Sequence, residues 1–313
     1  MLDILLLIAP VFGLIALGTL FGKLGFLSET AEKGIGEFAF TLAIPALLLK
    51  TVATSDFSGL SIAGVWASFY IAAAVTWLAA TAATAWPLAR PAQDAPSIAI
   101  ASAFGNSVML GIPIAFLTFG EASSATVALI LSIHAPSLWL AATLHARLVA
   151  TPADGETPPS MLEVLRDDLG RNPVVIGVLL GAAWRLTGVP MPKPALDILT
   201  LLAQAGVPAA LVALGLSLTR FRIAGQIPTL ATITVLKLVA MPVVAMALAY
   251  VVFGLSPVSA GTVAILSAVP TGANAYIFAT RSGRAVNSAS GAIALGTIVS
   301  ALTISLLLAV ITR

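Results

Sequence analysis

FGNSVMLGIP, from Phe104 to Pro113, and SAVPTGANAY, from Ser267 to Tyr276, are two apolar segments interrupted in the same manner. Each sets Gly, Pro, Asn and Ser or Thr into the middle of an otherwise hydrophobic span. Lipid offers no hydrogen bond to a free N–H or C=O. Unwound backbone at membrane depth must therefore be buried in protein or line a cavity. Two interrupted helices at corresponding places in the halves of a chain point to a transporter's binding site.

The surrounding composition fits that setting. Of 313 residues, 59% are hydrophobic and 9% charged, against about 25% charged in a soluble domain. The formal net charge of +2 is small, and the basic residues sit in short connections. Nucleic acid is thus not an expected partner. With no Cys and two His, the sequence offers no disulfide, no thiolate chemistry and little for a metal centre; no cofactor is expected. Asp3 stands where a signal peptide would carry Lys or Arg, so the apolar N-terminus reads as a retained first helix.

A spanning helix needs about 20 mainly apolar residues. Ten such spans are expected, near 3–22, 33–52, 60–88, 94–119, 121–148, 172–188, 194–219, 225–253, 257–281 and 285–311. The polar stretch 151–171 falls at the midpoint and reads as a cytoplasmic linker between halves 1–150 and 172–313. If the N-terminus faces outward, Lys23, Lys33, Arg90, Arg147, Arg166, Arg171, Arg220, Arg222, Arg281 and Arg284 are all cytoplasmic. Only Lys50, Arg185, Lys193 and Arg313 are external. That asymmetry sets the orientation, with both termini external.

The halves match at one offset. Pro10, Val11 and Gly18 correspond to Pro173, Val174 and Gly181, Pro45 to Pro208, and the first break to the second, each 163 residues on. An odd number of spans per half makes the second copy enter from the opposite face, which is the inverted repeat of secondary transporters.

In the first break, Pro113 lacks a donor and suits the first position of a new half-helix. The free amides ahead of it, around Ser107 to Ile112, carry the positive end of that half-helix. Such a terminus can hold a carboxylate with no charged side chain. Asn106 adds a donor and an acceptor, and Gly111 permits non-helical backbone. Pro270, Thr271, Gly272 and Asn274 form the equivalent set in the second break.

Two ionisable groups lie deep. Lys237 either meets carbonyls freed by a broken helix or complements an anionic substrate. His134 either relays protons or, as a neutral ring, donates to a neighbouring helix. Gln204 is expected to tie two helices together, Pro45 and Pro208 to kink or pack, and the five Trp to pack or sit at interfaces.

GNSVMLGIP, VPTGANAYIFATRSG and RNPVVIGVLLG resemble the auxin efflux carrier family, and the similarity runs over the whole chain. With a central connection of only about twenty residues, the chain is more similar to the short bacterial members described as malonate or malate permeases than to the plant carriers. The resemblance implies a fold related to the bile acid sodium symporters. Its first, second, sixth and seventh helices would form a scaffold, and the others a mobile elevator-type transport domain, usually within a homodimer. It places Asn106, Gly111 and Pro113 at one crossover and Pro270 at the other. Neither crossover has a nearby acidic residue, unlike the sodium sites of the bile acid relatives.

The expectation is an all-α membrane protein in the bacterial inner membrane that carries a small organic anion, a dicarboxylate such as malonate or malate. Two alternatives stay open: a sodium-coupled symporter or cation exchanger, and an anion sensor that carries nothing. An intramembrane enzyme would need a nucleophile–base pair or paired acids at depth, and no such motif is present.

Overall fold

The computed structural model describes residues 2–54, 57–150, 172–221 and 226–312. The expected linker at 151–171 lies outside them. Twelve helical elements follow in order: α1 Leu2–Lys23, α2 Glu29–Thr54, α3 Ile62–Ala85, α4 Ala95–Ala103, α5 Ile112–Phe119, α6 Ser124–Val149, α7 Pro173–Leu186, α8 Lys193–Ser217, α9 Ile227–Val252, α10 Pro257–Ala268, α11 Ala273–Ser282 and α12 Val286–Ile311. Every span expected from the sequence is helical. The two expected breaks are present, between α4 and α5 and between α10 and α11. Among the described residues there is no β-strand, only a single bridge between Gly105 and Thr271.

Seven of the helical stretches are long and apolar enough to cross a membrane by length and composition. Their outward faces carry Leu6, Leu78, Leu201, Val243 and Ile298, all exposed. An apolar exterior of that kind is what a bilayer requires. Helix starts follow local chemistry. The side chains of Ser28, Ser61, Asn172 and Ser256 each accept a bond from an amide of the first turn, and Pro173 and Pro257 begin their helices. Gly283, at φ 63°, ends α11 in the left-handed conformation.

The tightest packing joins α1 to α8 and α2 to α7. Small residues make it possible. A Cβ on Gly215 would strike the Ile15 carbonyl oxygen, and one on Gly18 would strike that of Val212. On the other pair, a Cβ on Gly177 would lie 2.5 Å from the Pro45 carbonyl oxygen, and one on Gly181 2.7 Å from that of Leu49. Without a hydrophobic drive between helices in lipid, such close backbone approach is a main source of association. Thr19 adds a hydroxyl bond of 2.9 Å to the Gly215 carbonyl. At one end of this group Arg220 pairs with Glu32 and, at 3.6 Å, with Glu29.

Pro45 follows a wide turn at Ala39–Ala43 without breaking α2, and Pro208 lies within a continuous α8. Pro45 packs against Gly177 of α7, whereas Pro208 is exposed. Gln204 is exposed on α8 and bonds no other helix among the described residues, so the expected tie between helices is not made within this chain. The tryptophans pack as expected: Trp66 donates to the Leu129 carbonyl at 2.7 Å, Trp139 stacks edge-on with Phe278, and Trp86 is 82% exposed.

Candidate functional site

α4 is buried along its whole length and stops at Ala103 because Phe104 turns extended (φ −80°, ψ 106°). α10, buried from Ser259 onward, stops at Ala268, where Val269 is also extended (φ −66°, ψ 150°). The two freed segments lie against each other. The Asn106 amide donates to the Pro270 carbonyl at 2.7 Å, and the Gly272 amide donates to the Phe104 carbonyl at 2.9 Å. Between them Gly105 and Thr271 form the antiparallel bridge. Each break thus supplies the backbone partners that the other lost on unwinding, which is how non-helical chain is tolerated away from water.

Side chains complete the joint. The Thr271 hydroxyl donates to the Ala101 carbonyl at 2.8 Å, capping the end of α4. Lys237, on α9 and 1% exposed, donates to the Ser267 carbonyl near the end of α10 and lies 3.4 Å from the Met241 sulfur. Gly105 is required here. A Cβ on it would stand 2.8 Å from Val269 Cγ2 and 3.3 Å from both Cε and Nζ of Lys237. From α12, Gly296 brings its backbone against Pro270.

Helical winding resumes sooner after the first break than the proline suggested. A wide π-turn spans Ser107–Gly111, and α5 begins at Ile112. The Asn106 carbonyl accepts from both Leu110 (3.1 Å) and Gly111 (3.2 Å), and Ser107 accepts from Ile112. The amides without an acceptor inside the turn are therefore those of Ser107 to Met109, not the whole run to Ile112. Pro113 lies inside the start of α5, away from the exchanged bonds. After the second break α11 starts at Ala273. No side chain caps either start.

Of the residues expected at the site, Asn106, Ser107, Pro270, Thr271 and Gly272 are buried, whereas Asn274 is half-buried and Ala273 exposed. The Asn106 side chain joins no described hydrogen bond, and Ser107 Oγ is buried without one. Gly111 faces Leu266, where a Cβ would lie 2.6 Å from that side chain. His134, 3% exposed, reaches the joint from α6. Its ring centroid is 4.6 Å from that of Phe104 and 5.5 Å from that of Phe69. Neither ring nitrogen closes a hydrogen bond of normal geometry, although the ring approaches the Gly105 backbone.

Sequence reasoning gave Gly105 the tolerance for non-helical backbone but not its close approach to Val269 and Lys237, and it missed the Thr271 hydroxyl as a cap. Both sit inside the quoted motifs, but the partners that give them meaning are 166 and 170 residues away. Among the described residues no group of three or more His, Asp or Glu could hold a metal ion.

An apolar-coated helical bundle, with two unwound segments satisfying one another inside it, is the build of a membrane transport protein rather than of an enzyme. Residues 3–308 match the family model described as "Membrane transport protein", and the chain belongs to this family, the auxin efflux carrier family. It is also 28% identical, over 98% of its length and 96% of the relative's, to a protein of Rhizobium meliloti (strain 1021) named "Putative malonate transporter".

Proposed function

We propose that this protein is a secondary carrier for a small dicarboxylate of the size of malonate, held at the crossover of the two broken helices. The observation that carries the proposal is the pair of uncapped helix starts beside the joint, one at Ser107 and one at Ala273. Each presents amides at the positive end of a helical dipole, which suits a carboxylate. Two such starts suit two carboxylates. Asn106, Ser107, Gly111, Pro270, Thr271, Gly272 and Asn274 shape the site, and Pro113 fixes the start of α5. Lys237 adds positive potential from behind the joint, and His134 flanks it as a further contact for substrate or proton. The name of the rhizobial relative is consistent with such a substrate.

The architecture proposed with it is two inverted five-helix repeats. Shifting α2, Glu29–Thr54, by the offset read from Pro10 and Pro173 gives 192–217, and α8 is Lys193–Ser217. The same shift takes α6, Ser124–Val149, to 287–312, beside α12 at Val286–Ile311. In this reading α1, α2, α7 and α8 are a rigid scaffold, and the remaining helices move past it as an elevator. The glycine-tight packing of α1 on α8 and α2 on α7 supports a rigid body. A groove of about 480 Å³, lined by Phe12, Thr19 and Lys23 on one side and by Ala294, Thr297 and Ala301 on the other, lies between α1 and α12. The protein would act as a homodimer in a bacterial inner membrane with both termini external.

Uptake of radiolabelled malonate into proteoliposomes tests the substrate, and Asn106→Ala tests the site. The expected outcome is saturable uptake by the wild type. In the variant, uptake should fall by about tenfold or more, as expected for losing charge-assisted hydrogen bonds of roughly 1.5–3 kcal/mol, with melting nearly unchanged. Equal uptake by both proteins would remove the joint as the binding site. No uptake by the wild type would remove malonate.

A further inference from the structure

We infer that Lys237 is a built-in cation: its ammonium fills, from within the chain, the small-cation position formed by the end of α10 and the Gly105 backbone. The joint is thereby closed without sodium. A vacated position would accept a small primary ammonium ion.

The geometry carries this. Lys237 sits in a wide turn of α9, Leu236–Ala240, that aims it at the joint. Its Nζ donates to the Ser267 carbonyl, with the Met241 sulfur at 3.4 Å and Gly105 packed against its stem and head. α10 ends one residue after Ser267, so its last carbonyls have no intrahelical donor. A helix C-terminus carries partial negative charge and favours a cation. Lys237 joins none of the described ion pairs. A buried ammonium with no carboxylate partner is costly, and it is retained where dipoles compensate it. Here the compensation is the Ser267 carbonyl at the negative end of α10, with the polarizable Met241 sulfur beside it. An ammonium is a compact charge with three donors and reaches that carbonyl on a tether.

The argument does not depend on which solute is carried, so its test uses no substrate. Melting of the purified protein is followed in sodium, choline or methylammonium chloride at equal ionic strength. Wild-type melting is expected to be the same in sodium as in choline. Lys237→Ala should melt roughly 5 °C lower, from a buried acceptor left unmet, and methylammonium but not the bulkier choline should raise it again. Lys237→Met, whose thioether fills the stem's volume without the charge, should stay low in every salt. Any of three results overturns the inference: sodium-specific stabilisation of the wild type, wild-type melting in Lys237→Met, or no preference of Lys237→Ala for methylammonium over choline. Should Lys237→Ala fail to accumulate, the wild type and Lys237→Met decide the matter by themselves. Loss of malonate uptake with these melting results intact would count against the substrate and not against the built-in cation.

Discussion

The two breaks use the same residue types but are repaired differently. The first is repaired mostly from its own side. The Asn106 carbonyl takes two amides at once, and winding resumes directly as the wide turn Ser107–Gly111. The second stays unwound from Val269 to Gly272, and its loose carbonyl at Ser267 is met by Lys237 from α9. The backbone bonds between them run both ways, but the side-chain cap runs one way, from Thr271 to the Ala101 carbonyl at the end of α4. Both breaks are buried at the joint, from Phe104 to Ser107 and from Val269 to Gly272; the first is closed locally, whereas the second is met by Lys237 and leads into the exposed start of α11 at Ala273. For the carrier proposed above, this difference in repair would let the first break hold its shape while the second adjusts.

Gly105→Val is the harshest way to break the comparison, because it attacks the one point both repairs share. Its side chain would collide with Val269 and with the Lys237 stem. Overpacking a filled interior costs about 1–3 kcal/mol or more, and here it also separates the bridge from Thr271. The expected outcome is a protein that accumulates poorly or melts about 10 °C lower, with no transport. Melting of the solubilised protein checks it, and wild-type behaviour would mean the backbones do not approach so closely.

Thr271→Val sharpens the comparison with a smaller effect. The shape is kept and only the hydroxyl is lost, which leaves the buried Ala101 carbonyl without its cap. That should cost about 1–3 kcal/mol and lower melting by roughly 3–8 °C. The loss belongs to the first break although the substitution is in the second. Amide exchange slowed or hastened by residue would show it, with the end of α4 loosening before the start of α11. Loosening confined to α11 would contradict a crosswise cap.

Much of this was legible in the sequence, for physical reasons. Long apolar runs marked the helical stretches, because lipid leaves the backbone little choice but helix. The breaks at Phe104–Pro113 and Ser267–Tyr276 were legible because Gly and Pro punctuate helices by their own covalent geometry. The place where winding resumes was not. Pro113 tolerates a position inside the first turn as well as at its start, and the local bonds of Leu110 and Gly111 to the Asn106 carbonyl restart the winding ahead of it. Lys237 was left between two roles because one sequence shows a deep cation but not which carbonyl lies opposite. Gln204 was misjudged for the same reason, since a polar residue on an apolar helix does not reveal whether its face meets a neighbour.

His134→Leu should have the smallest effect on stability and separates support from function. The ring packs between Phe69 and Phe104, but its nitrogens complete no hydrogen bond of normal geometry. Replacing an unsatisfied buried polar group by an apolar one of similar size is near neutral or stabilising. Melting should therefore hold within about 2 °C of wild type or rise slightly. A ring needed only for packing would leave transport intact as well. A ring kept polar beside the joint, at the cost of an unmet donor and acceptor, is expected to serve the solute or its proton, and initial uptake should then fall while stability does not. Equal loss of both would instead make His134 a structural strut that completes its hydrogen bonds within the protein.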